Sequence, residues 1–97
     1  MAQNPYFPRP GGNASKLNIT AATVVKSTPG TVYNVSVTTA GSTSGNVSDV
    51  ATVAGVAAGN LVFDIPNTVG NYPITFPCFA GIVVTPGTGQ VLSVSYN

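Results

Sequence analysis

The 97-residue sequence contains no histidine and no glutamate, and only 5% of its residues are charged. Without histidine, the chain lacks the usual general base, the Ser–His and Cys–His pairs, and the commonest zinc ligand. The carboxylate side chains are Asp49 and Asp64 alone. They are too few for a calcium site, and two unrelated aspartates explain them better than a glycosidase pair does. We therefore predict a protein that is not an enzyme, with no catalytic residue, no cofactor and no metal site.

The low content of charged residues also indicates which kinds of binding partner the protein can have. A typical soluble domain has about 25% charged residues. A net charge of +1 argues against a nucleic-acid surface, which requires clustered lysine and arginine. Low charge and 43% hydrophobic residues make a free monomer prone to aggregate. We expect copies of the same chain or a partner to cover much of the surface, most simply in a homotrimer; a weakly charged monomer is the alternative.

Long apolar runs are missing as well. No stretch reaches the roughly 18–20 continuous apolar residues of a membrane span, so no membrane contact is predicted. The N-terminus lacks the basic-then-apolar order of a secretion signal, which predicts a product of the cytoplasm. Cys78 is the single cysteine, so no internal disulfide is possible. Its place in an alternating apolar segment predicts a buried, small hydrophobic side chain.

Short segments of alternating apolar and polar residues fill the chain from Lys16 onward. A period of two places the apolar residues on one face of a β-strand. Strands this short, separated by turn formers, favour antiparallel pairing between sequence neighbours. The fold class is therefore all-β: one small β-sandwich or jelly-roll-like barrel over residues 16–97. The predicted core consists of Tyr33, Val35, Val37, Leu61, Phe63, Ile65, Ile74, Phe76, Ile82, Val84, Leu92 and Val94.

Three connections carry distinct signals. Pro29 followed by Gly30 has the order that a type II turn prefers. Residues 86–89, Pro-Gly-Thr-Gly, lack the lysine and following helix of a phosphate-binding loop, and we interpret them as a hairpin turn. Residues 50–59 are rich in alanine, valine and glycine and predict a compact connection, with room for at most a turn or two of helix.

Residues 1–15 differ from the rest because they hold three prolines and no alternation. Proline biases the backbone toward extended geometry, so fourteen such residues could reach about 45–50 Å. Aromatic and arginine side chains are typical of contact surfaces. We predict an extended N-terminal arm that packs on a neighbouring molecule; an unstructured tail is the alternative. The candidate partner-binding residues are Pro5, Tyr6, Phe7, Pro8 and Arg9.

The aromatic residues allow a second kind of site. Tyr6, Phe7, Tyr33, Tyr72 and Tyr96 could form a platform on which sugars stack. The same residues fit core or interface positions equally well. A carbohydrate-binding surface therefore remains an alternative.

Several segments resemble small proteins encoded in the structural modules of tailed bacteriophages. They are LNITAATVVK (17–26) with PG (29–30), VSVTTAG (35–41), DVATVAG (49–55), IPNTVG (65–70), FPC (76–78) and GIVVTPGTGQV (81–91). The resemblance covers residues 16–97 and leaves the arm outside it. It implies a β-sandwich decoration (cement) protein on the exterior of a virion capsid, made in the host bacterial cytoplasm, with the major capsid protein as its partner. A head-fibre or tail component with a receptor- or carbohydrate-binding surface is the alternative.

Overall fold

The computed structural model describes residues 14–97, and the described chain is built from eight β-strands, so the all-β prediction is confirmed. The candidate arm residues Pro5, Tyr6, Phe7, Pro8 and Arg9 lie outside the described residues. The strands are β1 (Ala14–Ile19), β2 (Thr23–Lys26), β3 (Gly30–Thr39), β4 (Gly45–Ser48), β5 (Leu61–Ile65), β6 (Gly70–Cys78), β7 (Ile82–Thr85) and β8 (Val91–Tyr96).

The strands form two antiparallel four-stranded sheets. Sheet A has the order β1-β8-β3-β6, and sheet B has the order β2-β7-β4-β5. The pairing is nested: the first strand pairs with the last, the second with the seventh, the third with the sixth and the fourth with the fifth. The predicted antiparallel pairing is confirmed, but the predicted pairing of sequence neighbours is wrong except for β4 and β5. Six of the seven connections carry the chain from one sheet to the other, so consecutive strands other than β4 and β5 lie in different sheets.

This topology overturns two of the predicted turns. Gly30 is a strand residue paired with Cys78, and the described glycine with a positive φ is Gly89 (φ 76°), so no type II turn forms at Pro29–Gly30. The segment 86–90 joins β7 in sheet B to β8 in sheet A and is therefore a crossing turn rather than a hairpin. The chain bends at both places, as predicted. The hairpin prediction is wrong because turn residues indicate where the chain bends and do not indicate whether the next strand stays in the same sheet.

The hydrophobic core contains side chains from both sheets. Val32 is buried in place of the predicted Tyr33, because β3 has an irregularity between Val32 and Asn34 that shifts the alternation. Phe63 and Ile74 pack against the core from partly buried positions. The predicted core residues confirmed as buried are Val35, Val37, Ile65, Ile82, Val84, Leu92 and Val94, and the structure adds Ile19, Val32, Val47 and Cys78.

The predictions for Leu61 and Phe76 are wrong, since both side chains are exposed. They belong to β5 and β6, which are edge strands of sheets B and A. An edge strand has a neighbour on one side only, so its apolar residues are incompletely covered. Alternation predicts the face of a strand only where no register irregularity intervenes, and it does not show whether that strand lies in the middle of a sheet.

Both edge strands of sheet A contain bulges. Asn18 in β1 (φ 55°) and Thr75 in β6 (φ 44°) adopt the left-handed conformation at the points where the register shifts. This conformation is unusual for a β-branched residue such as Thr75. Pro73 and Pro77 flank it in β6. Bulges and prolines on edge strands hinder pairing with a further strand, so both edges of sheet A are poor sites for edge-to-edge association.

The connection between β4 and β5 is compact, as predicted. It contains two single 3₁₀ turns, Val53–Gly55 and Ala58–Asn60. The Thr52 hydroxyl oxygen accepts a hydrogen bond from the Gly55 backbone N–H at 3.1 Å. The Asn60 side chain accepts from the Ala57 N–H at 3.0 Å and donates to the Gly55 carbonyl at 2.9 Å. Side chains of the connection thus satisfy its own backbone groups.

Ser48 in β4 is fully buried, and its hydroxyl has no hydrogen-bond partner among residues 14–97. An unpaired buried hydroxyl costs about 1–3 kcal/mol. We therefore expect Ser48→Ala to stabilise the domain by about 1 kcal/mol, measured by urea unfolding. Ser36→Ala is the control, because the Ser36 hydroxyl is paired with Asn71 at 2.9 Å and its loss brings no such gain. A lower stability for Ser48→Ala would show that the hydroxyl is satisfied in solution.

Candidate interaction site

The connections gather at the two ends of the sandwich, because each strand runs from one end to the other. Segments 40–44, 66–69 and 86–90 lie at one end, which we call the loop end. Segments 27–29, 49–60 and 79–81 lie at the other, which we call the Asp49 end. Amide side chains hold the loop end together, whereas a carboxylate and exposed apolar side chains characterise the Asp49 end.

Two amide side chains hold the loop end together. Asn67 accepts a hydrogen bond from the Gly41 N–H at 2.7 Å and donates to the Gly41 carbonyl. Gln90 is buried; its Oε1 accepts from the Gly87 N–H at 2.9 Å, and its Nε2 donates to the Pro66 carbonyl at 3.1 Å. Through these hydrogen bonds, the two side chains join the connections 40–44, 66–69 and 86–90 to one another. Sequence reasoning missed both, because each partner lies more than twenty residues away or across a turn.

One carboxylate organises the Asp49 end. Asp49 accepts hydrogen bonds from the backbone N–H groups of Phe79 at 3.0 Å, Ala80 at 2.8 Å and Gly81 at 3.3 Å. Its own N–H donates to the Asn60 carbonyl at 2.8 Å. Asp49 therefore joins the segment between β4 and β5 to the turn between β6 and β7. Asp49 has a structural role, because its hydrogen bonds fix the backbone of the turn that carries the exposed Phe79 side chain.

The surroundings of Asp49 also shift its pKa. Desolvation by partial burial acts to raise the pKa, but the hydrogen bonds from Ala80, Phe79 and Gly81 outweigh it, and the pKa lies below its usual value. The carboxylate is consequently ionised at neutral pH and acts as an acceptor for the turn. A carboxylate with a lowered pKa is a poor general acid.

Cys78 lies immediately before this turn and is buried, which confirms the prediction of a small hydrophobic side chain. Burial raises the pKa of the Cys78 thiol to about 11, and the negative charge of Asp49 contributes to the shift. The thiol is protonated at neutral pH, and the thiolate is the reactive form of cysteine.

We therefore expect Cys78 to resist alkylation in the native protein. Iodoacetamide at pH 8 should modify it at the rate at which the domain opens, at least about a hundredfold more slowly than in 6 M urea. Mass spectrometry of quenched samples measures both rates, and glutathione under the same conditions serves as the exposed-thiol control. Native labelling as fast as that of glutathione would contradict the buried position.

The edge strands β5 and β6 face each other across the sandwich. The rings of Phe63 and Tyr72 lie 6.5 Å apart, centroid to centroid, at an interplanar angle of 46°. The connection 66–69 joins the two strands at the loop end, so the start of β5 and the end of β6 lie together at the Asp49 end. Leu61 and Phe76 occupy these positions on the two facing edges.

Four of the seven large apolar side chains that are exposed within residues 14–97 belong to the Asp49 end, whereas Leu17, Val24 and Val69 lie elsewhere. Phe79 is 80% exposed, Phe76 44%, Leu61 43% and Val53 43%. The Phe79 backbone N–H donates to the Asp49 carboxylate, and the Asp49 N–H donates to the carbonyl of Asn60, which precedes Leu61. Val53 lies in the connection between β4 and β5. We call these four residues the apolar cluster. Large exposed aromatic groups on a fixed backbone are typical of protein-binding surfaces.

A second surface is polar. A shallow groove of about 230 Å³ lies on the outer face of sheet A. Asn34 donates to the Ser95 hydroxyl at 3.3 Å, and the Ser36 hydroxyl donates to Asn71 at 2.9 Å. The groove has no charged lining residue; it is lined by Ser15, Leu17, Asn34, Ser36, Asn71, Ser93, Val94 and Ser95.

The tyrosines considered for a sugar platform are largely engaged elsewhere. The Tyr72 hydroxyl donates to the Thr68 carbonyl at 2.7 Å, and its ring packs on Phe63. Tyr96 packs against the core, and Tyr33 is half-buried. Within residues 14–97 no three potential metal ligands come together, and no helix is long and apolar enough to cross a membrane.

Comparisons with protein-family models, with curated proteins and with solved structures found no match to this chain.

Proposed function

We propose that the chain is a non-enzymatic virion structural protein that decorates and stabilises a bacteriophage capsid by binding the major capsid protein. The observation that carries the proposal is the apolar cluster, above all Phe79, on a domain whose charged residues from 14 to 97 are only Lys16, Lys26, Asp49 and Asp64. Interface centres are enriched in aromatic residues and depleted of charge. A protein that works only when assembled tolerates such a surface.

The topology supports this proposal. The nested pairing of eight strands in two sheets is the order of a jelly roll, an architecture found in viral capsid and lectin domains. Bulges and prolines protect both edges of sheet A, so we infer association through ends or faces rather than through added strands. We propose a homotrimer on the capsid exterior, with synthesis in the cytoplasm of the host bacterium.

The arm is the second element of the proposal. Pro5, Tyr6, Phe7, Pro8 and Arg9 would add contact area on a neighbouring subunit or on the capsid protein. Ordering such a segment costs about 1–2 kcal/mol per residue in backbone entropy, so its contacts must be extensive. Aromatic side chains bury large areas with few rotamers, which makes Tyr6 and Phe7 the best anchors.

Deleting residues 2–12 is expected to weaken binding to DNA-filled particles at least about tenfold, equivalent to about 1.4 kcal/mol. Cosedimentation of purified protein with particles that lack it measures the effect. Val69→Ser, an exposed change at the loop end, is the control and should bind as the unchanged chain does. Equal binding by the truncated protein would leave the arm without a role in attachment.

Copy number separates the proposal from its alternative. A decoration protein is present in purified virions at a level comparable to the major capsid protein, whereas a fibre or tail component is far rarer. Quantitative mass spectrometry of virions with isotope-labelled peptides gives the ratio directly. A low ratio would reject the decoration function.

The polar groove favours the alternative of a fibre or tail component that binds carbohydrate. Its hydroxyl and amide groups, from Ser36, Asn71, Ser93 and Ser95 among others, match the uncharged hydrogen-bonding groups of sugars. Shifts of backbone amide signals along β1, β3, β6 and β8 during titration with host-surface oligosaccharides would support this alternative. Unchanged spectra at millimolar sugar would exclude the groove as such a site.

A further inference from the structure

We propose that the apolar cluster is the receptor for the Tyr6–Phe7 segment of a second copy of the chain. The inference rests on the proposed function only in treating the arm as a contact segment. It adds the surface that receives the arm, and it makes the partner another copy rather than the capsid protein.

The chemistry of the apolar cluster matches that of the arm. Leu61 and Phe76 lie at the same end of two facing edge strands, and Phe79 and Val53 lie in connections at that end. An apolar surface of this kind accepts aromatic side chains, and an arm with the sequence Pro-Tyr-Phe-Pro supplies two of them. The single arm charge, Arg9, lies outside this tetrapeptide.

The arm begins at the same end of the sandwich as the apolar cluster. Ala14, the first residue of β1, pairs with Tyr96 at the end of β8, so the arm starts at the Asp49 end. The apolar cluster lies at the same end. The start of the arm and the apolar cluster are therefore at the same height along the strands. Two copies placed side by side would bring the arm of one copy next to the cluster of the other.

The position of β1 in sheet A favours the arm of a second copy over the chain's own arm. β1 and β6 are the two outer strands of sheet A, about 14 Å apart at three strand spacings. The arm starts on the β1 side, and the cluster lies on the β6 side. The six residues 8–13 would span about 20 Å if extended, so length alone would let the arm reach its own cluster. The direction of β1 decides between the two: Ala14 lies at the Asp49 end and the strand runs toward the loop end, so reaching its own cluster would require the arm to turn sideways across the ends of β8 and β3. Pro8 and Pro10 favour an extended path, which we expect to lead to a neighbouring copy instead.

This placement defines the type of assembly. Each copy would give an arm on one side and receive an arm on the other, which is a heterologous contact. Such contacts close into rings when the rotation between copies allows it. A closed ring of three satisfies every arm and every cluster, in agreement with the proposed homotrimer.

Two variants test the contact by complementation. The truncation Δ2–12 keeps the cluster but lacks the arm segment, and Phe79→Ser keeps the arm but loses the most exposed residue of the cluster. We expect the full chain to form oligomers at micromolar concentration in sedimentation velocity and each variant alone to be monomeric. An equimolar mixture should form a one-to-one heterodimer, because one intact arm then meets one intact cluster.

Controls keep the result interpretable. Phe79 is 80% exposed, so Phe79→Ser should keep its melting temperature; Val53→Ser is a second cluster variant if it does not. Val69→Ser, exposed at the loop end, should form oligomers as the full chain does. This experiment contains no capsid. A negative result would therefore leave the decoration function standing if the virion copy number supports it. A low virion copy number would in turn leave a positive result for the contact standing.

Several results would overturn the inference. A mixture that stays monomeric means that arm and cluster do not bind each other between copies. Oligomers of Δ2–12 as stable as those of the full chain mean that the arm is not involved. A monomeric full chain whose melting temperature falls equally in Δ2–12 and Phe79→Ser means that the arm covers its own cluster.

Discussion

Gly41→Ala and Gly87→Ala are each expected to destabilise the domain by about 2–3 kcal/mol, the upper part of the usual range for overpacking. A Cβ added at Gly41 would overlap the Thr88 carbonyl oxygen and lie 2.5 Å from the Gln90 backbone nitrogen. A Cβ added at Gly87 would overlap the Thr43 carbonyl oxygen. The obstructing atoms are backbone, so a rotamer change cannot relieve the clash.

The effect should be large because these contacts join the connections of the loop end. The Ser42 N–H donates to the Thr88 carbonyl at 2.8 Å, and the Thr88 N–H donates to the Thr43 hydroxyl at 2.8 Å. A Cβ at either glycine would push these segments apart and weaken both hydrogen bonds. For a domain of this size the loss corresponds to a fall of roughly 10–20 °C in melting temperature.

Gly59→Ala is the matched control. A Cβ at Gly59 meets no atom within 4 Å, so the same change of side chain adds no clash. We expect its melting temperature to remain within a few degrees of the unchanged protein. Differential scanning calorimetry of the three variants measures the contrast. Equal melting temperatures for Gly41→Ala and Gly59→Ala would show that the loop end is looser than the structure indicates.

Local patterns in the sequence predicted the strands well. Alternation located the strand at Leu61–Ile65 and the buried face of β8, including Leu92 and Val94, because a two-residue period is a property of each strand alone. It also predicted the buried position of Cys78. The edges of the sheets are not predictable in this way, which is why alternation wrongly predicts core positions for Leu61 and Phe76.

The interaction site was harder to predict because it depends on pairing between distant segments. Asp49 and Phe79 are thirty residues apart in sequence, and a carboxylate at the end of a strand gives no local sign that three N–H groups will surround it. The link between Asn67 and Gly41 is equally non-local. Exposure of Phe79 follows from its position beyond the end of β6, which the nested topology determines.

Asp49→Ala is expected to destabilise the domain by about 1–2 kcal/mol at pH 7, through loss of the hydrogen bonds from Phe79, Ala80 and Gly81. The expected loss of stability is moderate because water can reach part of this turn. Asp49→Asn keeps an acceptor but removes the charge, so its loss should be smaller. Urea unfolding followed by circular dichroism measures both changes.

The contribution of Asp49 also depends on pH, with a defined sign. The pKa of Asp49 is lower in the folded protein than its ordinary value of 3.8. Its stabilising effect is therefore fully present above that value and is lost as the pH falls through the lower, folded-state pKa. We expect the free energy of unfolding of the unchanged protein to fall below about pH 4, and the difference from Asp49→Asn to shrink over the same range.

Asp64→Asn is the control for this pH dependence, because Asp64 is the other acidic side chain and is exposed on β5. It should retain the Asp49-dependent loss of stability in acid. Because Asp49 holds the turn that carries Phe79, Asp49→Asn should also weaken self-association at neutral pH, whereas Asp64→Asn should not. If the difference in free energy of unfolding between Asp49→Asn and the original sequence stayed constant from pH 7 to pH 2.5, the charge of Asp49 would not stabilise the turn.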